Sequence, residues 1–238
     1  MIARLSMRPT SDSQDGRGIV SLQRTFEDAP RDPSLKDPVP VEPFGILLRW
    51  MIEAQSSGLM NPDAMIVGTV DERGDPRART VLCRGVDPQR GALVFYTNRD
   101  SAKGRQIDAR ARASAVMYWD PLGRQMCATG RVEPTTDAES DAYWTTRPRL
   151  SQIAARGSRQ SQPIESRTAL LAQIDREAER FGGIDGTAPV PRPSHWGGYR
   201  IVVDRMELWV SSSGRAHDRV LWQRSAETAP WVHTRLQP

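Results

Sequence analysis

The segment AMIVGTVDERGDPRARTVLCRGVDPQRGALVFYTN, residues 64–98, decides the fold of this chain. It contains three runs rich in β-branched and aromatic residues, at 64–70, 78–84 and 92–98, and the turn sequences DERGD and DPQRG separate them. Runs of this kind, bounded by Gly, Pro and Asp, are typical of β-strands. Links this short favour antiparallel neighbours, because parallel neighbours need a crossover of a dozen or more residues.

Further strands are predicted on the C-terminal side. ASAVMYW (113–119) and QMCATGRVEP (125–134) flank the turn DPLGR and predict a hairpin. YRIVVD, MELWVS, RVLWQR and WVHTRLQ then predict four closing strands. Helices interrupt the strands irregularly, which does not fit a repeating β-α-β pattern. We therefore predict an α+β fold, an antiparallel sheet closed into a barrel with helices outside it.

The helices are predicted from apolar periodicity and from residues that cap helix ends. Ser101 is a suitable N-cap for the second helix, and Thr136 with Glu139 forms a capping box for the third. Pro148 ends or kinks that third helix. The predicted helical segments are 44–54, 101–112, 138–147 and 161–181, the last closed by Gly182-Gly183.

The N-terminal part differs in composition from the rest. Residues 1–20 are polar and predict a disordered tail. Residues 21–43 contain five prolines and predict an extended arm rather than a helix. We predict that 44–238 forms one domain. The start of the chain lacks the apolar region of a secretory signal, so a cytoplasmic location is expected.

Composition excludes several classes of function. No apolar run is long enough for a membrane span, and Cys83 and Cys127 do not make a disulfide framework, which fits a reducing compartment. Of the 33 cations, 31 are arginines, a bias that fits either a GC-rich genome or anionic ligands. Acidic residues interrupt them and no basic stripe forms, so we expect no nucleic-acid partner and no membrane partner.

Sequence motifs for common sites are missing. The chain has no G-x-G-x-x-G after a strand, no Walker loop, no H-E-x-x-H and no G-x-S-x-G. His195, His217 and His233 are too dispersed for a convincing metal cluster, so no metal is expected.

Two groups of polar residues remain as candidate phosphate sites. Arg79 and Arg84 flank one strand, Tyr96-Thr97 end another, and Ser101 and Lys103 open the next helix, where backbone N–H groups also favour an anion. The second group is Tyr143, Arg147 and Ser151, spaced four residues apart. The alternatives are a solvated loop with a cap for the first group and a surface ion-pair face for the second.

Ordered segments along the chain resemble the pyridoxamine 5′-phosphate oxidases, which convert pyridoxine or pyridoxamine phosphate to pyridoxal phosphate. The resemblance covers about Leu22 to Pro238. The matching segments are RTVLCRGVD (79–87), VFYTNRDSAKGRQI (94–107), RPRLSQIAARGSRQSQPI (147–164), PRPSHWGGYRI (191–201), ELWVSSSGRAHDR (207–219) and RLQP (235–238).

The resemblance implies a split-barrel homodimer with FMN bound at the subunit interface. Ala102 stands where many members have a further arginine, so Lys103 would hold the FMN phosphate with less help. The FMN residues implied are Arg79, Arg84, Tyr96, Thr97, Lys103, Gln125, Gln160, Ser161, Trp209 and Arg219.

The resemblance also implies a substrate site. Arg84 stands where the family usually has lysine, which keeps the charge but adds bulk and fixes the donors in a plane. The residues implied are Arg84, Tyr143, Arg147 and Ser151 for the substrate phosphate, with Arg215 and His217 as catalytic residues near the reacting carbon and ring.

The arm leaves the substrate open. Gln23 and Phe26 stand where members place an arginine and a tyrosine as a lid, with Arg24 between them. The arm also resembles that of the phenazine-biosynthesis oxidases, FMN enzymes whose tricyclic acid substrates lack a phosphate. We favour the phosphorylated vitamer, because three phosphate donors have little reason to lie opposite a ligand without phosphate.

The expected activity is therefore an oxidase that uses FMN and O₂ and releases hydrogen peroxide. A phenazine-type oxidase is the second interpretation. A flavin- or heme-binding split-barrel protein without oxidase activity is the third.

Overall fold

The computed structural model of the protein describes residues 35–238. The predicted tail and most of the arm, with Gln23, Arg24 and Phe26, lie outside the described residues. The described helices are α1 (Phe44–Gln55), α2 (Ala102–Ala109), α3 (Asp137–Thr145), α4 (Arg149–Gly157) and α5 (Arg167–Glu179). The strands are β1 (Ala64–Val70), β2 (Pro76–Leu82), β3 (Gly85–Asp87), β4 (Ala92–Asn98), β5 (Arg112–Trp119), β6 (Arg124–Pro134), β7 (Trp196–Val210), β8 (Asp218–Gln223) and β9 (Val232–Arg235).

Every strand pair of the sheet is antiparallel, as predicted, and the strand order is β2-β1-β5-β6-β7-β4-β3. β7 pairs with β6 from Tyr199 to Val210, while its other edge pairs first with β4 and then with β8. β2 and β4 lie far apart in this order but are in contact, so the sheet curls back on itself. The result is the predicted split barrel with helices around it.

The main core lies between one face of this sheet and α1. Alternate residues of β5 and β6 are buried, as expected for strands with one face against a core. Phe44, Leu47 and Trp50 of α1 pack on that face, and Trp50 meets Trp119 edge to face at 6.3 Å. A second, smaller core joins α3, α4 and α5 around Trp144, Ile153, Ala178, Val190 and Trp196.

Several predicted elements are confirmed. β1 and β4 have the predicted bounds, and Ser101 caps α2 by accepting from the backbone N–H of Gly104. The Thr136–Glu139 capping box is present at the start of α3. The hairpin of β5 and β6 turns through Gly123, whose φ of 58° suits glycine.

Other predictions were wrong. The segments YRIVVD and MELWVS form one strand, β7, so the closing strands are three rather than four. α5 begins at Arg167, because Ser166 is its N-cap, and 161–166 is not helical. The third predicted helix ends at Thr145, so Arg147 lies beyond it. α4 and β3 were missed, α4 because it begins directly after the helix-breaking Pro148.

The described end of the arm is fixed to the barrel. Leu35 is fully buried in the main core, and the indole Nε1 of Trp222 donates to the carbonyl of Pro40 at 3.0 Å. Arg235 pairs with Asp37 at 3.0 Å. Across residues 35–238, the helices are too short or too polar to cross a membrane.

A substitution at Gly130 tests whether the β-bulge between β6 and β7 requires a glycine. The register shifts at Thr129/Gly130, and a Cβ on Gly130 would overlap the backbone carbonyl of Val202. Gly130→Ala should therefore lower the free energy of unfolding by about 1–3 kcal/mol, measured by urea denaturation. Gly68→Ala is the control, because its Cβ would meet the movable side chain of Ser114. Equal loss in both variants would contradict this account.

Candidate functional site

A cavity of about 1050 Å³ lies between the β2 and β4 edges of the barrel and helices α2 to α5. It brings together the two groups that the sequence suggested as phosphate sites. The predicted site residues that line it are Arg84, Tyr96, Thr97, Lys103, Tyr143, Arg147, Ser151 and Gln160.

Lys103 is a buried cation at one end of the cavity, with 7% of its surface exposed. Its Nζ donates to Thr97 Oγ1 and Ser101 Oγ, both at 3.0 Å, and to Gln160 Oε1 at 2.8 Å. Burial, and secondly the charge of Arg79, lowers the pKa of Lys103 to about 8. No carboxylate pairs with it in the described part of the chain, so this end of the cavity is suited to an anion.

Arg79 does not line the cavity, but its positive charge acts on Lys103 and helps to lower the pKa of that residue. Its guanidinium donates to Thr69 Oγ1 at 2.6 Å, to the carbonyl of Val67 at 3.1 Å and to Gln106 Oε1 at 3.0 Å. These neutral acceptors leave its charge uncompensated, and burial lowers its pKa. Ser161 follows Gln160 on the rim with a φ of 71°, a strained value for serine.

Arg147 lies at the other end of the cavity. Its guanidinium stacks on Trp196 and Trp144, with distances of 4.7 and 5.1 Å to the ring centroids. Its Nη1 is buried without a hydrogen-bond partner, and burial lowers its pKa. Arg84 differs, because its Nη1 pairs with Asp63 at 2.7 Å.

Parallel aromatic rings form one wall between the two ends. The ring centroids of Tyr96 and Tyr143 lie 4.0 Å apart, with an angle of 15° between the ring planes. The centroids of Tyr96 and Trp196 lie 5.6 Å apart, at 11°. Burial is the main cause that raises the pKa of Tyr96, so its phenol stays protonated at neutral pH. The wall presents flat apolar surface beside cationic ends, which suits a flat aromatic ligand that carries an anionic group.

The remaining predicted residues lie elsewhere, on the β6-β7-β8 part of the sheet. Gln125, Trp209 and Arg219 form one cross-strand row, and none of them lines the cavity. Arg219 pairs with Glu207 at 2.8 Å. The His217 ring lies 4.7 Å from that of Trp209.

His217 and Arg215 lie in the turn that connects β7 to β8. His217 Nδ1 accepts from the backbone N–H of Ser212 at 3.1 Å, so a neutral imidazole carries its proton on Nε2. Arg215 is exposed and has a φ of 62° after Gly214. Among residues 35–238, no cluster of three or more His, Cys, Asp or Glu side chains could hold a metal.

Comparison with known proteins identifies the family. The protein-family model described as pyridoxamine 5′-phosphate oxidase matches residues 51–180. A second family model, described as pyridoxine 5′-phosphate oxidase C-terminal dimerisation region, matches residues 196–238. The chain belongs to the pyridoxamine 5′-phosphate oxidase family. It is thus an oxidase, as the sequence resemblance predicted.

Relatives of this family match most of the chain. It is 43% identical over 222 residues to a pyridoxine/pyridoxamine 5′-phosphate oxidase of Rubrobacter xylanophilus, covering 93% of this chain and 97% of the relative. The Burkholderia lata enzyme of the same name is 44% identical, covering 83% and 89%. A solved structure, PhzG from Burkholderia lata 383 in complex with tetrahydrophenazine-1-carboxylic acid, is 30% identical with a TM-score of 0.78, covering 87% of this chain and 98% of that one.

Sequence reasoning missed Trp196, which contacts Arg147 at one end of the cavity and Tyr96 in the aromatic wall. It opens β7 opposite Asn98, and this register places it beside Tyr96. The sequence gives no local sign of that register. Asp63, the partner of Arg84, was missed for the same reason, because 21 residues separate them.

Lys103 provides a test that needs no ligand. Because its pKa is about 8 in the fold and 10.5 in a model peptide, the protonated side chain destabilises the fold below pH 8. That penalty fades as the pH rises from about 8 to 10.5. In flavin-free protein, Lys103→Met should raise the unfolding free energy relative to wild type more at pH 7 than at pH 10, measured by urea denaturation. The same difference at both pH values would contradict the shifted pKa.

Proposed function

We propose that this protein is an FMN-dependent oxidase that converts pyridoxine or pyridoxamine 5′-phosphate to pyridoxal 5′-phosphate and reduces O₂ to hydrogen peroxide. The observation that carries this proposal is a cavity with two cationic ends and an aromatic wall between them. One end would hold the phosphate of FMN and the other the phosphate of the substrate.

The Lys103 end fits the cofactor phosphate. A buried ammonium beside Arg79, with two hydroxyl groups and the first turn of α2, matches the donors that phosphate prefers. Gln160 Oε1 accepts from both Lys103 and Thr97, which orients these two donors. Because Ala102 supplies no charge, Arg79 is in this proposal the second cation that acts with Lys103 on the cofactor phosphate.

The Arg147 end fits the substrate phosphate. Arg147 lines this end and has no carboxylate partner among the described residues, so the charge of its guanidinium is available to an anion. Arg84, Tyr143 and Ser151 line the same end. In this proposal the four side chains bind the phosphate and orient the substrate ring against the cofactor.

Two protomers would complete the site. The row formed by Gln125, Trp209 and Arg219 lies near the end of β7 opposite Trp196, about 40 Å away along the strand at ~3.3 Å per residue. That separation favours contribution of the row to the FMN site of a second protomer. The match of 196–238 to a dimerisation region supports the same arrangement.

Arg215 and His217, in the turn after β7, are the residues that this proposal places near the reacting carbon of the substrate. The chemistry that bound FMN supplies is acceptance of a hydride from the carbon bearing the alcohol or amine, followed by reoxidation with O₂. The alcohol then yields the aldehyde directly, whereas the amine also consumes water and releases ammonia. In the proposal, Arg215 of one protomer orients the substrate ring of the other, and His217 donates from Nε2.

The second candidate is an oxidase of phenazine biosynthesis. The solved structure with tetrahydrophenazine-1-carboxylic acid favours it, since Arg147 could also bind a carboxylate. Comparison with two proteins of Burkholderia lata favours the first candidate. This chain is 44% identical to the pyridoxine/pyridoxamine 5′-phosphate oxidase of that organism and 30% identical to its PhzG. We therefore propose the phosphorylated vitamer as substrate.

The direct test uses purified protein with FMN. It should sediment as a dimer of 26.6 kDa chains and form pyridoxal phosphate and peroxide in equal amounts from pyridoxine phosphate. Absorbance of the product and a peroxidase-coupled assay measure the two yields. Turnover of a dihydrophenazine carboxylic acid without turnover of the vitamer would support the second candidate instead.

Arg147→Ala tests the substrate end. A charge-assisted hydrogen bond contributes about 1.5–3 kcal/mol to binding, so its loss should raise KM for pyridoxine phosphate about ten- to a hundredfold. FMN binding should stay nearly unchanged. Arg176→Ala is the matched control, because Arg176 is an exposed arginine of α5 that does not line the cavity. Unchanged KM in Arg147→Ala would remove the substrate-phosphate assignment.

A further inference from the structure

Aromatic rings rather than hydrogen bonds hold the guanidinium of Arg147. It lies over Trp196 and Trp144, and within residues 35–238 it has no carboxylate partner. Its Nη1 is buried and unpartnered. A cation against indole faces keeps its N–H donors available, because the ring interacts with the charge and accepts no conventional hydrogen bond.

Neighbouring arginines are held in a different way. Arg149, two residues along, donates to backbone carbonyls of the 181–188 loop. Arg156 pairs with Glu177 at 2.7 Å. Both therefore use their donors within the protein, whereas Arg147 lines the cavity and its guanidinium is held by the two indole rings.

Trp196 is itself firmly placed. Only 4% of it is exposed, and it meets Trp144 edge to face at 4.7 Å and 69°. The indole Nε1 of Trp144 donates to the carbonyl of Val190 at 2.7 Å, which fixes the second ring. Trp196 is also nearly parallel to Tyr143, at 5°. One ring thus borders both the guanidinium and the phenol at the substrate end.

We propose that Trp196 is the positioning residue that directs Arg147 toward an anionic ligand, with Trp144 as the second wall. The inference rests on the proposed function only in taking a substrate phosphate as the natural anion. Trp196 acts through Arg147 and need not touch the phosphate. Replacing its ring with a flexible side chain would let the guanidinium adopt other directions and weaken phosphate binding.

The test is a calorimetric titration of the protein with inorganic phosphate. The protein is loaded with FMN beforehand so that FMN fills the Lys103 end. Trp196→Met should weaken phosphate binding about tenfold, and Trp196→Phe, which retains an aromatic face, less than about threefold. FMN affinity should stay within about twofold. Trp231→Met is the matched control. The ring of Trp231 lies under the guanidinium of Arg224, 4.6 Å from centroid to Cζ, and neither residue lines the cavity.

A double-mutant cycle separates positioning from a general packing role. In an Arg147→Ala background, Trp196→Met should cause no further loss of phosphate affinity, because the residue it directs is gone. Additive losses would overturn the proposal, as would equal losses in Trp196→Met and Trp196→Phe. If Trp196→Met does not fold, the cycle is made with Trp196→Phe, and its smaller loss must again vanish without Arg147.

Failure of the proposed function can be recognised separately. A wild-type protein that does not oxidise pyridoxamine phosphate contradicts the function, yet the phosphate cycle still reports on Trp196. If the wild type binds no FMN, the cycle is repeated in a Lys103→Met background, so that phosphate bound at that end is not counted. In an active enzyme, Trp196→Met should raise KM for pyridoxamine phosphate and leave kcat within about twofold.

Discussion

The change of partner along one edge of β7 is the constraint on which the rest of the structure depends. Its first half pairs with β4 and its second half with β8, while β6 pairs with it from Tyr199 to Val210. The first pairing brings Trp196 beside the end of β4, where the cavity opens. The second carries Trp209 to the far end of the sheet. The length of strand between Trp196 and Trp209 is the basis of our proposal that the two groups of predicted FMN residues meet only across two protomers.

The cavity adds a second constraint, which is electrostatic. Lys103 is buried and Arg147 is half-buried, and neither has a carboxylate partner in the described residues. Burial disfavours the charged form of each. The fold offsets this cost with neutral groups, hydroxyl and amide oxygens at Lys103 and indole faces at Arg147. A carboxylate in either place would stabilise the empty protein but would compete with an anionic ligand. This arrangement exchanges stability for anion binding.

The sequence predicted those parts of the fold that local signals encode. The runs at 64–70 and 92–98 have strand composition and clear turns, and the Thr136 capping box fixed the start of α3. β7 was divided in two because the half-buried Asp204 and the exposed Arg205, near the bulge, resemble a turn. The sequence indicated both candidate phosphate sites, the first from residues at strand and helix ends and the second from spacing. Their union in one cavity depends on the contact of α3 with the β4–β7 part of the sheet, where Tyr143 stacks on Tyr96. That contact is long-range, and no local pattern encodes it.

The unequal pairing of the two arginines at the substrate end bears on which anion this cavity prefers. Arg84 shares its charge with Asp63, whereas Arg147 has no carboxylate partner among the described residues. A phosphate carries close to two negative charges and three acceptor oxygens, so it can engage Arg147, Tyr143 and Ser151 together while Arg84 keeps its carboxylate partner. A carboxylate has one charge and two oxygens, so it would balance less of the positive charge at this end than a phosphate would. The larger charge and the third oxygen of a phosphate are therefore the reasons for our proposal of a phosphorylated ligand rather than a carboxylic acid.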